Sequence, residues 1–493
     1  MEKIKKKVNE LLDNKILLIS VLIAFILFGA FIKVEYSRCT YKMYYNPWEV
    51  EYEHFKTLGR YFLSIGWKIV SILRFSLYNT YRLSYIMAMF FIIFSLYKME
   101  KIAEKFINNK FISMVISCLI IVNPFVIDLF IYLEKGFLVL SLFTTICAIE
   151  KTLKYFDTRK KSNLLYSILF LMISAYTYQG LATLFIAISL VTILKYSKNI
   201  IGFIKNNIIV ASVFGVAMGT NYLCIKLFNT SVRIAGEKSI IGNLKVVADT
   251  LDNMIIHTYN TMPKYIFLII FFSLFIIYLI SLVTNKKKFK EKMFIVFGFI
   301  YIFIGTFIIS LFPQLTLVTA SVLLVPRSTF SYGAIIGIFM MFAFNKIEIK
   351  NILKIVCIII FIVYFFIEIF WMQKIIIDHY TTNYLDNLTG KLIGESIEDY
   401  EKENGVEVKY VVYYEDANLT YSYPDMVAFG QMNQKVVSMY SKLLLLNYIS
   451  GNNLVERHEK NMEYEEKFKQ KDWDYFNEEQ LIFDGDTVHI CQF

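Results

Sequence analysis

Cysteine is sparse in this chain and scattered. Six residues, Cys39, Cys118, Cys147, Cys224, Cys357 and Cys491, form no CxxC pair and no Cys/His cluster, and four of them lie inside apolar runs. A zinc site or a disulfide framework is therefore not expected. Histidine is equally thin: His54, His257, His379, His458 and His489 are dispersed with no HExxH spacing, which leaves a metal-hydrolase reading without ligands. No Walker sequence and no GxGxxG run occurs. No nucleotide-binding domain is expected, and no metal or cofactor is called for. Repeats and low-complexity segments are absent as well.

Long hydrophobic runs are abundant. Of 493 residues, 57% are hydrophobic, with 45 Phe and 35 Tyr, more apolar surface than a soluble domain can bury. The expected fold class is an α-helical polytopic membrane protein with about eleven transmembrane helices, each needing about 20 apolar residues. The spans fall near 16–34, 81–97, 111–132, 136–150, 163–178, 180–195, 207–226, 264–283, 293–312, 332–345 and 352–371. The first lacks a small-residue cleavage site and reads as a retained helix.

The net charge of +10 could suggest nucleic acid. The basic residues, however, sit in short loops such as MEKIKKK, KMEKIAEKFINNK and NKKKFKEK. That is positive-inside topology, so the bilayer and not nucleic acid is the partner. The N-terminus is expected in the cytoplasm and the C-terminus outside. Segments near 50–78 and 227–262 carry helical apolar spacing broken by charges, and read as amphipathic helices on the outer interface. The membrane part spans 1–371. After Trp371 the composition turns charged, so 372–493 is expected to be a small extracytoplasmic α/β domain. It should have a helix near 384–404, a strand at VEVKYVVYYE, a helix near 433–449 and a final strand in TVHICQF.

The polar groups that could carry chemistry fall on the expected outer side. Glu35 ends the first span and could act as a general base at the interface, or simply mark a helix end. Glu49, Glu51 and Glu53 read as a solvated face. Arg60, Lys135 and Arg327 could hold a phosphate, the plainer reading being snorkelling to headgroups. Asp128, beside the Asn123-Pro124-Phe125 break, is an acid in or near the membrane and a candidate by that fact. Tyr176, Tyr178 and Gln179 cap a tight hairpin and could hold a sugar, or form an interfacial aromatic belt.

These pieces, in this order, resemble the bacterial O-antigen-converting glucosyltransferase family, a GT-C type of membrane glycosyltransferase. The matching elements are VEYS, LGRYF, NPFVIDLFIYLEKG, SAYTYQG and VPRSTFSYG, with the tail IEDYEKENGVEVKYVVYYEDANLTY. The resemblance implies a sugar, glucose or another hexose, carried on undecaprenyl phosphate and transferred to a surface glycan outside the cytoplasmic membrane. It also implies a small flippase and a donor-synthesising glycosyltransferase as partners. Glu35 falls where the family places its first-loop acid. One departure concerns the stretch SRCTY. The family pattern often has an Asp there, whereas this chain has Cys39 and no Asp in the whole first loop. A flippase or polymerase of lipid-linked glycans, and a non-enzymatic scaffold, are the competing readings.

Overall fold

The computed structural model describes residues 14–33, 40–41, 43, 48–107, 109–228, 251, 254–255, 258–284, 289–316, 325–346, 351–427, 432–439 and 441–493. The chain divides into two compact units. One comprises Met1–Ile32 with Trp48–Met372, the other Lys33–Pro47 with Gln373–Phe493.

The first unit is helical. Its helices are α1 (Lys15–Phe28), α2 (Trp48–Thr57), α3 (Tyr61–Ile72), α4 (Leu77–Glu104), α5 (Lys110–Ile121), α6 (Lys135–Thr158), α7 (Lys161–Thr177), α8 (Gln179–Tyr196) and α9 (Ile200–Leu227). They are followed by α10 (Ile266–Thr284), α11 (Phe289–Thr316), the single turn α12 (Phe330–Gly333), α13 (Ile335–Lys346) and α14 (Asn351–Asn404).

Among the described residues, seven helices are long and apolar enough to cross a bilayer: α1 with its 3-10 extension, α6, α8, α9, α10, α11 and α14. This is a membrane protein. Several segments expected to span do not reach that length or apolarity. α7 has 17 residues, α5 and α13 have 12 each, and α4 is long but carries charges along its last turns. α8 is the central helix: 78% of its apolar window is buried, against 28% for α1 and 33% for α9 and α10, which face outward.

With lipid outside, apolar contact alone does not select one helix partner over another. Small hydroxyl residues do so here. Between α6 and α7, Ser141 Oγ lies 2.9 Å and Thr145 Oγ1 2.7 Å from Ser174 Oγ, and Thr152 Oγ1 lies 2.8 Å from Ser167 Oγ. At about 0.6 kcal/mol each, these bonds set register more than stability. The α6–α7 turn closes on Arg159, held at φ 57°.

The segment expected as one amphipathic helix near 50–78 is two helices, α2 and α3, separated by Leu58-Gly59-Arg60. Gly59 takes φ +71°, a conformation open to glycine at little cost, and this breaks the helix. Most of the segment near 227–262 lies outside the described residues; its end returns at Thr258.

The second unit holds a four-stranded sheet, order β2-β1-β4-β3, built from β1 (Tyr410–Glu415), β2 (Val455–Glu456), β3 (Leu481–Asp484) and β4 (Thr487–Gln492). β1 is parallel to β2 and β4, while β3 and β4 form an antiparallel hairpin turning at Gly485. The two central strands are buried on both faces, and apolar residues dominate them. Val411, Tyr413, Val488 and Ile490 pack with Ile393, Ile397 and Leu446, the last from helix α15 (Lys442–Ser450). Val412, Tyr414 and Cys491 pack with Phe468 of helix α16 (Met462–Phe468). The helix expected at 384–404 is the second half of α14, which runs unbroken for 54 residues. The helix expected near 433–449 begins later, at Lys442, after a 3-10 turn at Val436–Ser438.

Candidate active site

Four of the sequence elements singled out above meet inside the first unit. The Asn-Pro break ends α5 and starts a buried 3-10 turn, Pro124–Leu129. Asn123 holds the turn: its Oδ1 accepts from the Phe125 N–H at 3.0 Å, and its Nδ2 donates to the Ile120 carbonyl at 2.9 Å. Gly333 packs against this side chain so closely that a Cβ there would lie 2.5 Å from Asn123 Oδ1. The turn thereby carries Asp128 to Arg327.

Asp128 is fully buried and Arg327 is 9% exposed. Arg327 Nη1 donates to both carboxylate oxygens of Asp128 at 2.9 Å, and the Arg327 backbone N–H donates to Oδ2 at 3.1 Å. The same Nη1 donates to the Tyr132 hydroxyl at 2.7 Å, and the guanidinium lies 4.5 Å from the Tyr132 ring centroid. Asp128, expected among the substrate ligands, thus has both oxygens engaged by Arg327. It orients that cation and supplies the charge that lets it be buried; removing one partner of such a pair costs about 3–5 kcal/mol.

Arg60 follows the Gly59 turn. Its guanidinium sits 4.7 Å from the Tyr178 ring centroid, a cation–π contact. Each arginine thus has its own tyrosine ring, Tyr178 for Arg60 and Tyr132 for Arg327. Gln179, expected to bind sugar, is engaged otherwise. Its Nε2 donates to the Leu58 carbonyl at 3.1 Å and to Asn221 Oδ1 at 3.3 Å, while Asn221 donates to the Gly59 carbonyl at 2.8 Å. Gln179 therefore clamps the turn that presents Arg60. Tyr176 points elsewhere, its hydroxyl 3.6 Å from Cys224 Sγ.

Gly180 lets two elements touch. A Cβ there would lie 3.0 Å from Ser328 Cα and 3.2 Å from the Arg327 carbonyl oxygen. Next to it, Thr183 Oγ1 and Ser331 Oγ are 2.7 Å apart. The sequence SAYTYQG is thus the seat on which VPRS rests.

Lys135 is fully buried at the start of α6. Its ammonium lies 3.3 Å from the Tyr81 ring centroid, and Nζ has no hydrogen-bond partner among the described residues. A snorkelling lysine would reach outward; this one does not. Glu134, which precedes it, is also buried, and the charges of Arg60, Arg327 and Glu51 act on it. Glu51 is 2% exposed, which corrects the reading of a solvated face; Glu53 is exposed. Their i, i+2 spacing on α2 separates them, since residues two apart point to different sides of a helix. Glu35, Cys39 and the side chain of Glu49 lie outside the described residues. Among the described residues, no three His, Cys, Asp or Glu side chains are placed to hold a metal ion.

One further strand of chain reaches the cluster. Thr258, Tyr259 and Asn260 all have positive φ, and the buried Tyr259 ring packs edge-on against Phe125, with centroids 5.6 Å apart. Three consecutive left-handed non-glycine residues are strained, and such strain concentrates at functional sites.

The arrangement is a set of three cations, Arg327 and Lys135 buried and Arg60 partly so, with three buried carboxylates, Asp128, Glu134 and Glu51, and tyrosine rings beside the cations, built from residues far apart in sequence. Three cations suit a phosphate; carboxylates and tyrosines suit hydroxyl groups. No curated protein and no solved structure matches the chain. The family model for glucosyl transferase GtrII matches residues 43–344, more than half of the chain and a span that contains the whole cluster. The chain belongs to the GtrII glucosyltransferase family.

Proposed function

We propose that this glucosyltransferase moves a hexose, with glucose the first candidate, from undecaprenyl phosphate to a surface glycan on the outer face of the cytoplasmic membrane. The observation that carries the proposal is the buried Arg327, fixed by Asp128; Arg60 and Lys135 are the further cations it would act with. In the reaction, the acceptor hydroxyl oxygen attacks the anomeric carbon, with inversion. The bond from that carbon to the phosphate oxygen breaks, and the electron pair leaves with the polyprenyl phosphate. The acceptor proton passes to Glu35, the carboxylate that ends the first span. The leaving phosphate gains one negative charge, which is where fixed cations lower the barrier. Asp128 and Gln179 act through the cations they position. The N-terminus is cytoplasmic and the C-terminal unit extracytoplasmic, where it would help hold the glycan acceptor. A small flippase and a donor-making glycosyltransferase would supply the lipid-linked sugar.

The test uses the full-length protein in liposomes with polyprenyl-phosphate [14C]glucose and the glycan acceptor. Wild type transfers label. Arg327→Ala lowers kcat/KM by about 10²–10³, the usual cost of losing one charge-stabilising donor. Glu35→Gln loses turnover but retains donor affinity. Label that crosses the bilayer without reaching the glycan would replace this reading with a flippase. Turnover of diphosphate-linked oligosaccharides alone would replace it with a polymerase.

A further inference from the structure

We propose that Glu134 accepts hydrogen bonds from hydroxyl groups of the donor sugar and thereby selects which sugar is transferred. The assignment rests on the lipid-phosphate reading above and extends it to the sugar. Glu134 is 8% exposed, yet its Oε2 has no hydrogen-bond partner among the described residues. A buried carboxylate in that state is expensive, so its partner is a group that arrives with substrate.

Glu134 stands at the N-cap of α6, where a side-chain oxygen commonly accepts from the first N–H groups of the helix, and it makes no such cap bond. Its own backbone N–H is the one local donor to the carboxylate, which leaves Oε2 open. Its neighbours place it in the cluster: Arg60, Arg327 and Glu51 all act on its charge, and Lys135 is the next residue.

An ionised carboxylate only accepts hydrogen bonds. It repels phosphate, so it cannot face that part of the donor. Hydroxyl groups can satisfy it, and they come from either the donor sugar or the acceptor glycan. The donor sugar is joined through one oxygen to the phosphate that the cations hold. Its hydroxyls are therefore the ones brought within a few ångströms of Lys135 and its chain neighbour. The charges thus divide the donor: phosphate on Arg327, Arg60 and Lys135, hydroxyls on Glu134.

The experiment is a coupling cycle on the full-length protein, with polyprenyl-phosphate glucose and its 2-, 3-, 4- and 6-deoxy analogues. Donor affinity by titration calorimetry is measured beside turnover, so a variant that binds without turning over still reports. In wild type, one deoxy donor should lose about 10- to 100-fold in affinity or kcat/KM, as for a hydrogen bond to a charged group. Glu134→Gln and Glu134→Ala should weaken the parent donor by a similar factor and show no further loss with that one analogue. A deoxy profile in both variants that parallels wild type would overturn the assignment. Coupling to deoxygenated acceptor glycan in place of donor would overturn it in favour of an acceptor-binding role. Wild type inert toward every polyprenyl-phosphate hexose would overturn the functional reading itself, and this assignment with it.

Discussion

Lys135 shows how far the cluster departs from what folding alone would choose. Its amine is fully buried, without a hydrogen-bond acceptor among the described residues, and it begins a helix, where the peptide dipoles oppose a positive charge. The cation–π contact with Tyr81 returns about 2 kcal/mol at best. Burying the charge costs several kcal/mol, so the balance is unfavourable. Replacing Lys135 with Met should therefore hold or raise the thermal unfolding midpoint in detergent, while glycan transfer falls by at least about tenfold. A lower midpoint with transfer intact would mark Lys135 as a structural residue. At this scale the sequence was partly legible. Arg327 stood out because it follows Pro326 in an otherwise apolar stretch, which weighed against simple snorkelling. Asp128 was visible as an intramembrane acid, but its service to Arg327 was not, because 199 residues separate the two. Glu51 was missed for a different reason: alternating charges on an amphipathic helix look solvated until the helix is packed.

Turns, more than helices, decide whether the cluster forms. Arg60 reaches Tyr178 because Gly59 adopts φ +71° and leaves room for the Ile225 side chain, which a Cβ would strike. Gly59→Ala should cost about 1–3 kcal/mol from backbone strain alone, with more from the collision. Its expected signature is a lowered unfolding midpoint together with a raised KM for the donor, read by titrating donor against turnover. An unchanged KM would show that Arg60 acts elsewhere. Seven of the eleven expected spans were legible as long apolar helices, because sustained apolar runs report them directly, while the segments near 81–97, 111–132, 163–178 and 332–345 were too short or too charged. Helix ends were less so: the change of composition after Trp371 suggested a break, yet α14 continues to Asn404. Composition reports the solvent around a helix, whereas backbone continuity depends on helix formers, and KIIIDHYTTNYLDNL contains neither Gly nor Pro.

At the scale of the whole molecule, pH should act on the second unit through a buried network. Asp386 accepts from the Tyr423 hydroxyl at 3.1 Å and from the Val436 N–H at 2.9 Å. Lys435 Nζ donates to the Phe493 carbonyl at 2.5 Å. Burial raises the Asp386 carboxyl to about 7 and lowers the Lys435 amine to about 8. The folded state therefore binds more protons than the unfolded one between about pH 4 and 7, so stability falls as pH rises through that window. Between about pH 8 and 10.5 it binds fewer, so stability rises again. The expected profile has its minimum near pH 7–8. Hydrogen exchange at the β1 amides of the full-length protein, corrected for intrinsic rate, should trace it, and Asp386→Asn should flatten the acidic limb alone. Equal slopes in both proteins would count against the network.

The distance in sequence between Asp128 and Arg327 also has a meaning in time. The carboxylate leaves the ribosome 199 residues ahead of its cation, roughly 10–40 s at the ~5–20 residues per second of synthesis. For that interval the acid is without the partner it has in the fold, and it is satisfied by water or by a bound proton. A chain that ends before residue 327 lacks the cation that holds Asp128 in the complete fold. The buried pair is therefore a late contact, made only once the last third of the chain is in place.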